Sequence, residues 1–356
     1  MLISTMIVYA QLQFLREKDL GFDKDRMALV TFTNRAQREK FSVLKNELEQ
    51  IPEIEMVSAT SAVPGEGIGK VIMNVEQNDG SMIERGVDFF LADYDFIPTM
   101  NMEILAGRNF SRDILSDTLG ATIANEAMVA RMGWEEPLGK KLTLGDNNLT
   151  IVGVLKDYHQ NSLYDEIEPL VVILSEDRRN VLIKATGDLQ EVMSKAETAW
   201  DKVYPNAGFE YSFLDQDFDS QYDADKRRGE IFTIFSGLTL VIACLGLLGL
   251  ISFTTEQRTK EVGIRKVNGA SVGAIIRLIS KEFIILISIA TIIAIPVSYY
   301  FMDNWLQSFA YKIMLVQRID LFILSAVSAF VITIITVAYH TSRAATANPV
   351  NALREE

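Results

Sequence analysis

The chain has one cysteine and two histidines in 356 residues, and three long stretches of its last third carry no charge at all. A single thiol closes no disulfide within the chain. Cys244 lies inside one of the uncharged stretches, where it reads as a small packing residue rather than a metal ligand. A domain without cysteine fits either side of a membrane and excludes only a disulfide scaffold. His159 and His340 are too few for a zinc centre, which draws on several nitrogen or sulfur ligands, and nucleophilic triads mostly need a histidine base. His159, in Lys156-Asp157-Tyr158-His159, is expected in a loop or surface position rather than in a dyad with Asp157. The zinc-protease pattern His-Glu-x-x-His is missing. No metal, cofactor or catalytic residue is expected.

Phosphate-binding glycine loops are also lacking. A P-loop needs glycine, four residues, then Gly-Lys-Ser/Thr, because backbone amides cradle the phosphates and the hydroxyl meets magnesium. At Gly69-Lys70 the first position holds Pro64 and the last Val71; at Gly139-Lys140 they hold Trp134 and Lys141. Both fail twice, so this sequence contains no ATP site of that kind. The net charge of −13 is unevenly placed. Residues 230–356 hold ten Lys+Arg against eight Asp+Glu, a net of +2, which leaves −15 for residues 1–229. An acidic region of that size argues against nucleic acid, whose phosphates select basic surfaces.

The uncharged stretches are Ile231–Phe253, Phe283–Met302 and Leu321–Tyr339. Roughly 20 apolar residues let a helix cross a bilayer core, so each is long enough to span. They lack ionisable groups, which proton- or ion-coupled carriers commonly place within the membrane. Pro296 is expected to kink the second. Met1–Ala10 is apolar but too short to span, and continues at helical spacing through Gln11–Arg16 without a breaker; it is expected to be the end of a spanning helix. The loop 254–282 carries six basic residues (Arg258, Lys260, Arg265, Lys266, Arg277, Lys281) and the loop 303–320 only Lys312 and Arg318. Positive charge in short loops marks the cytoplasmic side, so loop 254–282 and the C-terminus are expected there and the large domain outside.

That domain is expected to be α+β. Met27–Thr33, Ala36–Gln50 and Ile54–Val63 read as strand, helix and strand, and Asn180–Thr186, Leu189–Tyr204 and Gly208–Leu214 repeat the order. The paired β-α-β units bracket a strand-rich lobe, 70–175, with a short helix at Asn125–Met132 and a hairpin turn in Gly145-Asp146-Asn147-Asn148. Asp215, Asp217 and Asp219 alternate on what reads as a solvated face. Asp215–Arg228 has no breaker and is expected to run on as one helix into the first span, which gives a division into 1–19, 20–214, a stalk at 215–230 and a membrane domain of three helices at 231–356.

Glu256–Ser271, EQRTKEVGIRKVNGAS, sets Val262, Ile264 and Val267 against Arg258, Lys260, Glu261, Arg265 and Lys266. A basic loop resting on lipid headgroups would share this pattern. The segment also resembles the one that follows the first post-domain span in FtsX-like, MacB-type ABC transporter permeases. The tail Ala347–Arg354 resembles that family's C-terminal signature. Ala106–Phe110 (AGRNF), Asn125-Glu126-Ala127 and Ile151–Asp157 (IVGVLKD) resemble its extracytoplasmic core. The resemblance implies four membrane helices per unit, so that Met1–Ala10 would end the first and the chain would be a truncated unit or half of a longer duplicated permease. It further implies a separate ATPase subunit, a second permease unit, contact with membrane lipid, and a periplasmic adaptor, in a bacterial inner membrane. Glu261, Gly263, Arg265, Lys266 and Gly269 match the family pattern for coupling to the ATPase. The implied activity is export of peptides, drugs or lipoproteins by mechanotransmission. The alternative is an FtsX-type signaller that activates a cell-envelope partner; an anchored binding domain without an ATPase is a third reading.

Overall fold

A computed structural model describes residues 1–175, 178–258, 261, 264–265 and 268–346. They fall into two units, Lys18–Asp223 and the combination of Met1–Glu17 with Ala224–Glu356. In chain order the helices are α1 (Leu2–Glu17), α2 (Arg35–Glu39), α3 (Phe41–Leu48), α4 (Phe96–Thr99), α5 (Glu126–Met132), α6 (Leu189–Val203), α7 (Leu214–Ser220), α8 (Asp223–Gln257), α9 (Val272–Leu306) and α10 (Ile319–Thr346). The strands are β1 (Met27–Thr31), β2 (Ile54–Thr60), β3 (Lys70–Glu76), β4 (Met82–Ala92), β5 (Ile104–Gly107), β6 (Ala121–Asn125), β7 (Lys141–Leu144), β8 (Asn147–Leu155), β9 (Leu170–Leu174), β10 (Asn180–Ala185) and β11 (Tyr211–Phe213).

In the Lys18–Asp223 unit both expected β-α-β units form, but neither pairs its own strands. β10 lies antiparallel between β1 and β2, and β1 lies antiparallel between β10 and β11. The two units are therefore interleaved, each split by a strand of the other. Period-two alternation explains how one sheet serves two cores. Ala28 and Val30 of β1 face α3 and α6, packed with Leu44, Val192 and Trp200. Met27 and Leu29 point the opposite way, into a core shared with Phe90, Ile123 and Val172.

The intervening lobe is more ordered than its sequence suggests. β4 pairs β3, β3 pairs β7, β7 pairs β8, β8 pairs β6, β6 pairs β9, and β9 returns parallel to β4, which closes a ring. Closure removes the free sheet edges that invite wrong pairing. Met73, Val75, Val87, Leu142, Ile151 and Val171 cluster on one side of its strands. The expected hairpin is present, with Leu144 opposite Asn147 and Gly145 at φ 59°.

Three elements differ from expectation. The helix expected over Ala36–Gln50 divides at Lys40, whose φ of −95° and ψ of 10° leave helical geometry. The strand expected from Gly208 begins only at Tyr211, where β1 offers partners. The single helix expected from Asp215 into the first span is broken at Gln221-Tyr222, between α7 and α8. Tyr222 is buried, and its hydroxyl accepts from the Leu163 N–H at 2.8 Å, which ties that junction to the folded unit.

In the second unit, α8, α9 and α10 are each long and apolar enough to cross a membrane. α9 runs through Pro296 as one helix. α1 packs Ile3, Ile7 and Val8 with Met302, Leu306, Leu321 and Phe322, at the C-terminal end of α9 and the start of α10. Gln11 is fully buried there and satisfies two backbone groups: its amide donates to Tyr311 O at 3.0 Å and its carbonyl accepts from Ile313 N at 2.9 Å. Thr5 meets Ser236 of α8 at 2.8 Å. At the opposite ends of the spans, Ile251, Phe283 and Val337 bring α8, α9 and α10 together.

Candidate functional site

The segment between α8 and α9 has a defined local geometry. Glu261, Ile264 and Arg265 have helical backbone. The Asn268 N–H donates to Ile264 O at 3.1 Å, and the Ala270 N–H reaches back to Arg265 O at 2.9 Å. Gly269 sits between them at φ 88°, with nothing within 4 Å of where a Cβ would stand. This is the Schellman closure of a helix, and it asks for glycine on backbone grounds alone. Two residues later Ser271 caps α9, its hydroxyl accepting from the Ala274 N–H at 3.3 Å. One helix therefore ends and the next begins within a few residues, so the turn is fixed by hydrogen bonds at both sides.

Charges brace the same turn. Arg265 pairs with Glu261 at 2.8 Å in i,i+4 spacing, and both side chains are about half exposed. An exposed pair of this kind contributes only ~0.3–0.5 kcal/mol and chiefly orients the two groups. Arg258, at the end of α8, donates to Glu282 on α9 at 2.6 Å and links the helices that flank the turn. Ile264, next to Arg265 in sequence, is exposed. Of the five residues expected to couple to an ATPase, Glu261, Arg265 and Gly269 thus lie together on one turn. Gly263 and Lys266 lie outside the described residues, as do Lys260 and the tail Ala347–Arg354.

Gly269-Ala270-Ser271-Val272-Gly273 also has the Gly-x-Ser-x-Gly spacing of a nucleophile elbow. Such an elbow follows a strand. Here Ser271 follows a helix turn and its hydroxyl serves as the α9 cap, so the spacing carries no hydrolase reading.

The Lys18–Asp223 unit uses its other chemical candidates for structure. His159 is not on the surface: it is 5% exposed in an irregular segment, and its N–H donates to Leu20 O at 2.9 Å. Burial, reinforced by Lys18, lowers its pKa to about 4, so it is neutral at pH 7. The Asp157 carboxylate accepts from the Ala127 N–H at 2.9 Å, and burial raises its pKa. The small cavity beside His159, about 10 Å3 and bounded also by Asp88, Asn125 and Glu168, has room for about one water molecule. Asn125 already spends its side chain there on Met128 N, Leu170 N and Glu168 O. Asp219 pairs with Lys24 at 2.5 Å and Asp217 accepts from the Ser212 hydroxyl, so those two carboxylates do more than face solvent. One amide in each glycine stretch serves structure as well: Gly65 N donates to Gln160 O and Gly139 N to Ile151 O, each at 2.8 Å.

The three short motifs of this unit meet in space. Gly107 of β5 pairs with Gly153 of β8. A methyl on Gly107 would run into the Val152 carbonyl, and one on Gly153 into the Arg108 carbonyl. Arg108 grips Asp117 through two hydrogen bonds of 2.6 and 2.7 Å, and Asp117 is 1% exposed. That guanidinium holds the Asp117 carboxyl below the usual carboxylate range. Asn109 donates to Tyr94 O, and Phe110 enters the shared core. From the other side, Asp157 N donates to Glu126 at 3.0 Å. AGRNF, NEA and IVGVLKD are one knot of scaffold. The sequence reading missed Asp117, because nothing local marks a carboxylate whose partner, Arg108, lies nine residues earlier just past the end of β5.

An α+β domain joined to three helices of membrane-spanning length defines a polytopic membrane protein with a folded domain outside the spans. The chain belongs to the MacB-type, FtsX-like family of ABC transporter permeases: residues 1–201 match the MacB-like periplasmic core domain and residues 233–349 the FtsX-like permease C-terminal. It is 22% identical over 267 residues to the uncharacterized ABC transporter permease YknZ of Bacillus subtilis, across 72% of this chain and 65% of that one. It is also 22% identical over 274 residues to the macrolide export ATP-binding/permease protein MacB of Campylobacter jejuni, across 72% of this chain but only 42% of the relative. The chain thus spans less than two thirds of the length of either relative. Among solved structures, the periplasmic region of MacB from Actinobacillus actinomycetemcomitans is 12% identical with a TM-score of 0.41, covering 57% of this chain and 94% of that one. The extracellular domain of YknZ is 14% identical with a TM-score of 0.36, covering 52% and 98%.

Proposed function

We propose that the chain is the transmembrane unit of an ABC-type exporter, in which a separate ATPase drives motion of the Lys18–Asp223 domain through the membrane helices. The observation that carries this reading is α8. It is 35 residues long, begins at Asp223 where the outer unit ends, and finishes at Gln257, beside the braced turn. At 1.5 Å per residue that is ~52 Å of unbroken helix, longer than the ~30 Å hydrocarbon core. A continuous helix passes axial displacement on with little loss, whereas a flexible linker would absorb it. The break at Gln221-Tyr222 moves the start of this rod from the expected Asp215 to Asp223.

In this reading Glu261, Gly263, Arg265, Lys266 and Gly269 form the contact with the ATPase. The Schellman turn fixes the backbone from Arg265 to Ala270 where Gly269 sits, and the exposed Ile264 adds an apolar centre. The turn and the C-terminus face the cytoplasm of a bacterial cell, in the inner membrane, and the Lys18–Asp223 domain lies outside. A second permease unit completes the membrane complex, and a periplasmic adaptor meets the outer domain. The cargo is a peptide, drug or lipoprotein handled outside the bilayer, which fits spans without ionisable residues.

Co-purification tests this. The chain, extracted in mild detergent, should bring down an ATPase with vanadate-sensitive hydrolysis, and the double variant Arg265→Glu, Lys266→Glu should lose it. Recovery of no ATPase with either form would defeat the reading. Hydrolysis that persists without ATP-dependent uptake of peptide or drug by inverted vesicles would replace export with envelope signalling.

A further inference from the structure

The Lys18–Asp223 unit is two bodies on one sheet. β1, β2, β10 and β11 form the interleaved layer with their helices, and β3, β4 and β6 to β9 form the ring. The strand pairing that joins them is narrow. Thr60 of β2 stands opposite Ala92 of β4, flanked by Asp93 N to Ala59 O at 3.0 Å and Ser61 N to Leu91 O at 2.7 Å. Much of the rest of their contact is the apolar shared core, which tolerates small shear where a long strand ladder would not. The chain passes between the two bodies twice, from β2 to β3 and from β9 to β10.

The break at Gln221-Tyr222 touches both bodies. α7 continues β11 of the layer, and Leu214 and Phe218 anchor it by burial. Lys24 pairs with Asp219 at 2.5 Å and stands 5.2 Å from the centre of the Phe218 ring. On the other side the break meets the irregular segment 156–169, which joins β8 to β9 of the ring. The Tyr222 hydroxyl accepts from the N–H of Leu163, a fully buried residue, and the Tyr222 ring stacks on Tyr164 with centres 5.9 Å apart. The same segment grips the first passage between the bodies. Gln160 accepts from Gly65 N at 2.8 Å through its backbone carbonyl, and its side-chain amide donates to Val63 O at 3.0 Å. Gly65, at φ 97°, lies against the break in turn, since a methyl there would stand 2.7 Å from Gln221 Nε2. Tyr222, Leu163, Gln160 and Gly65 thus make one line of contact from the residue before α8 to the passage between layer and ring.

We propose that Tyr222 is the positioning residue through which displacement of α8 turns the ring against the layer, about the Thr60–Ala92 bridge. The inference rests on the reading of α8 as a driven rod and adds where its motion is delivered. α8 starts at Asp223, so an axial shift moves the adjacent Tyr222 hydroxyl at once. The Leu163 N–H is buried and has no water to exchange into, so the bond holds under a displacement that a solvated contact would shed. The turn at Gln221-Tyr222 lets the layer, held by α7, stay behind. Without the bond that turn would absorb the shift, and layer and ring would keep their mutual angle.

The test uses the full chain with its co-purified ATPase in nanodiscs, in a Cys244→Ser background. Spin labels go on the exposed positions Glu197→Cys of α6 and Asp146→Cys of the β7–β8 hairpin, one on each body. Trapping with ATP and vanadate should shift the distance between the labels by a few ångströms. Tyr222→Phe keeps the ring and leaves the Leu163 N–H without its acceptor, so the shift should vanish. In that variant hydrolysis should stay within about twofold and the Leu163 amide should exchange its hydrogen about tenfold faster, while β1 amides exchange as before. Gln221→Leu, which removes a buried amide nitrogen that has no hydrogen-bond partner, should leave shift and hydrolysis unchanged. A shift that survives Tyr222→Phe would overturn the role of Tyr222. Hydrolysis with no shift in the Tyr222 protein would overturn the hinge and leave the exporter reading standing, and this measurement needs no Tyr222 variant to fold. Absence of any ATPase would defeat the exporter reading and this inference with it.

Discussion

Trp200 and Ile292 are both large apolar residues, and the two units treat them in opposite ways. Trp200 in the Lys18–Asp223 unit is 2% exposed; Ile292 in the middle of α9 is 71% exposed. Trp200 stacks on Phe32 with ring centres 6.1 Å apart, and its indole N–H donates to Ala207 O at 3.1 Å. Ile292 has no such surroundings. In water that exposure would be a liability, but lipid tails are as apolar as the side chain and association of membrane helices gains nothing from hiding it. The spans accordingly have only 6–28% of their apolar windows buried within the protein. The outer unit is held by burial and satisfied hydrogen bonds, whereas the membrane unit is held by its solvent and by a few specific contacts such as Gln11 and Thr5.

The contrast can be broken most severely at Trp200. Trp200→Ala should destabilise the outer unit by ~3–5 kcal/mol through lost burial and a residual cavity, read by pulse proteolysis of the full chain in detergent. Next comes a charge placed where lipid is the solvent. Ile292→Arg should cost ~3–4 kcal/mol of membrane insertion in a glycosylation-mapping assay, while Ile292→Ala should cost under ~1 kcal/mol. A large penalty for the alanine variant would mean that this face packs against protein. Smaller again is the backbone of the turn. Gly269→Ala should cost ~1 kcal/mol, because alanine pays for left-handed geometry where the open space around it offers no steric objection. Its signature should be weaker ATPase co-purification with unchanged proteolytic resistance of the outer unit.

Legibility in the sequence followed range of interaction. The three spans, the two β-α-β units, the Gly145 hairpin and the short helix after Asn125 were readable because each signal lies within a few residues. The interleaving of β10 between β1 and β2 was not, since their pairing joins positions more than a hundred residues apart, such as Val57 and Ile183. The break at Gln221-Tyr222 escaped notice because no proline or glycine marks it; a tertiary bond from Tyr222 to Leu163 accompanies it. His159 lies in an irregular segment, as expected, but not at the surface: that segment is buried, with Tyr158 in the shared core and His159 5% exposed. For the candidate site, Gly269 and Ser271 announce a helix end and a helix start in one dimension. The Arg258–Glu282 bracing needed both helices in place.

The sequence alone determined that three segments prefer lipid, that the remainder is a separate α+β domain, and that no ATP-binding glycine loop is present. These follow from hydropathy and from local backbone chemistry, which do not depend on where the rest of the chain goes. Only the tertiary structure decided that the strand-rich lobe closes into a ring, that Asp117 is the buried partner of Arg108, and that Tyr222 is buried against Leu163 where the helix from Asp215 breaks. Each of those depends on which distant side chains come to share a space, and that is fixed by packing rather than by any single stretch of residues.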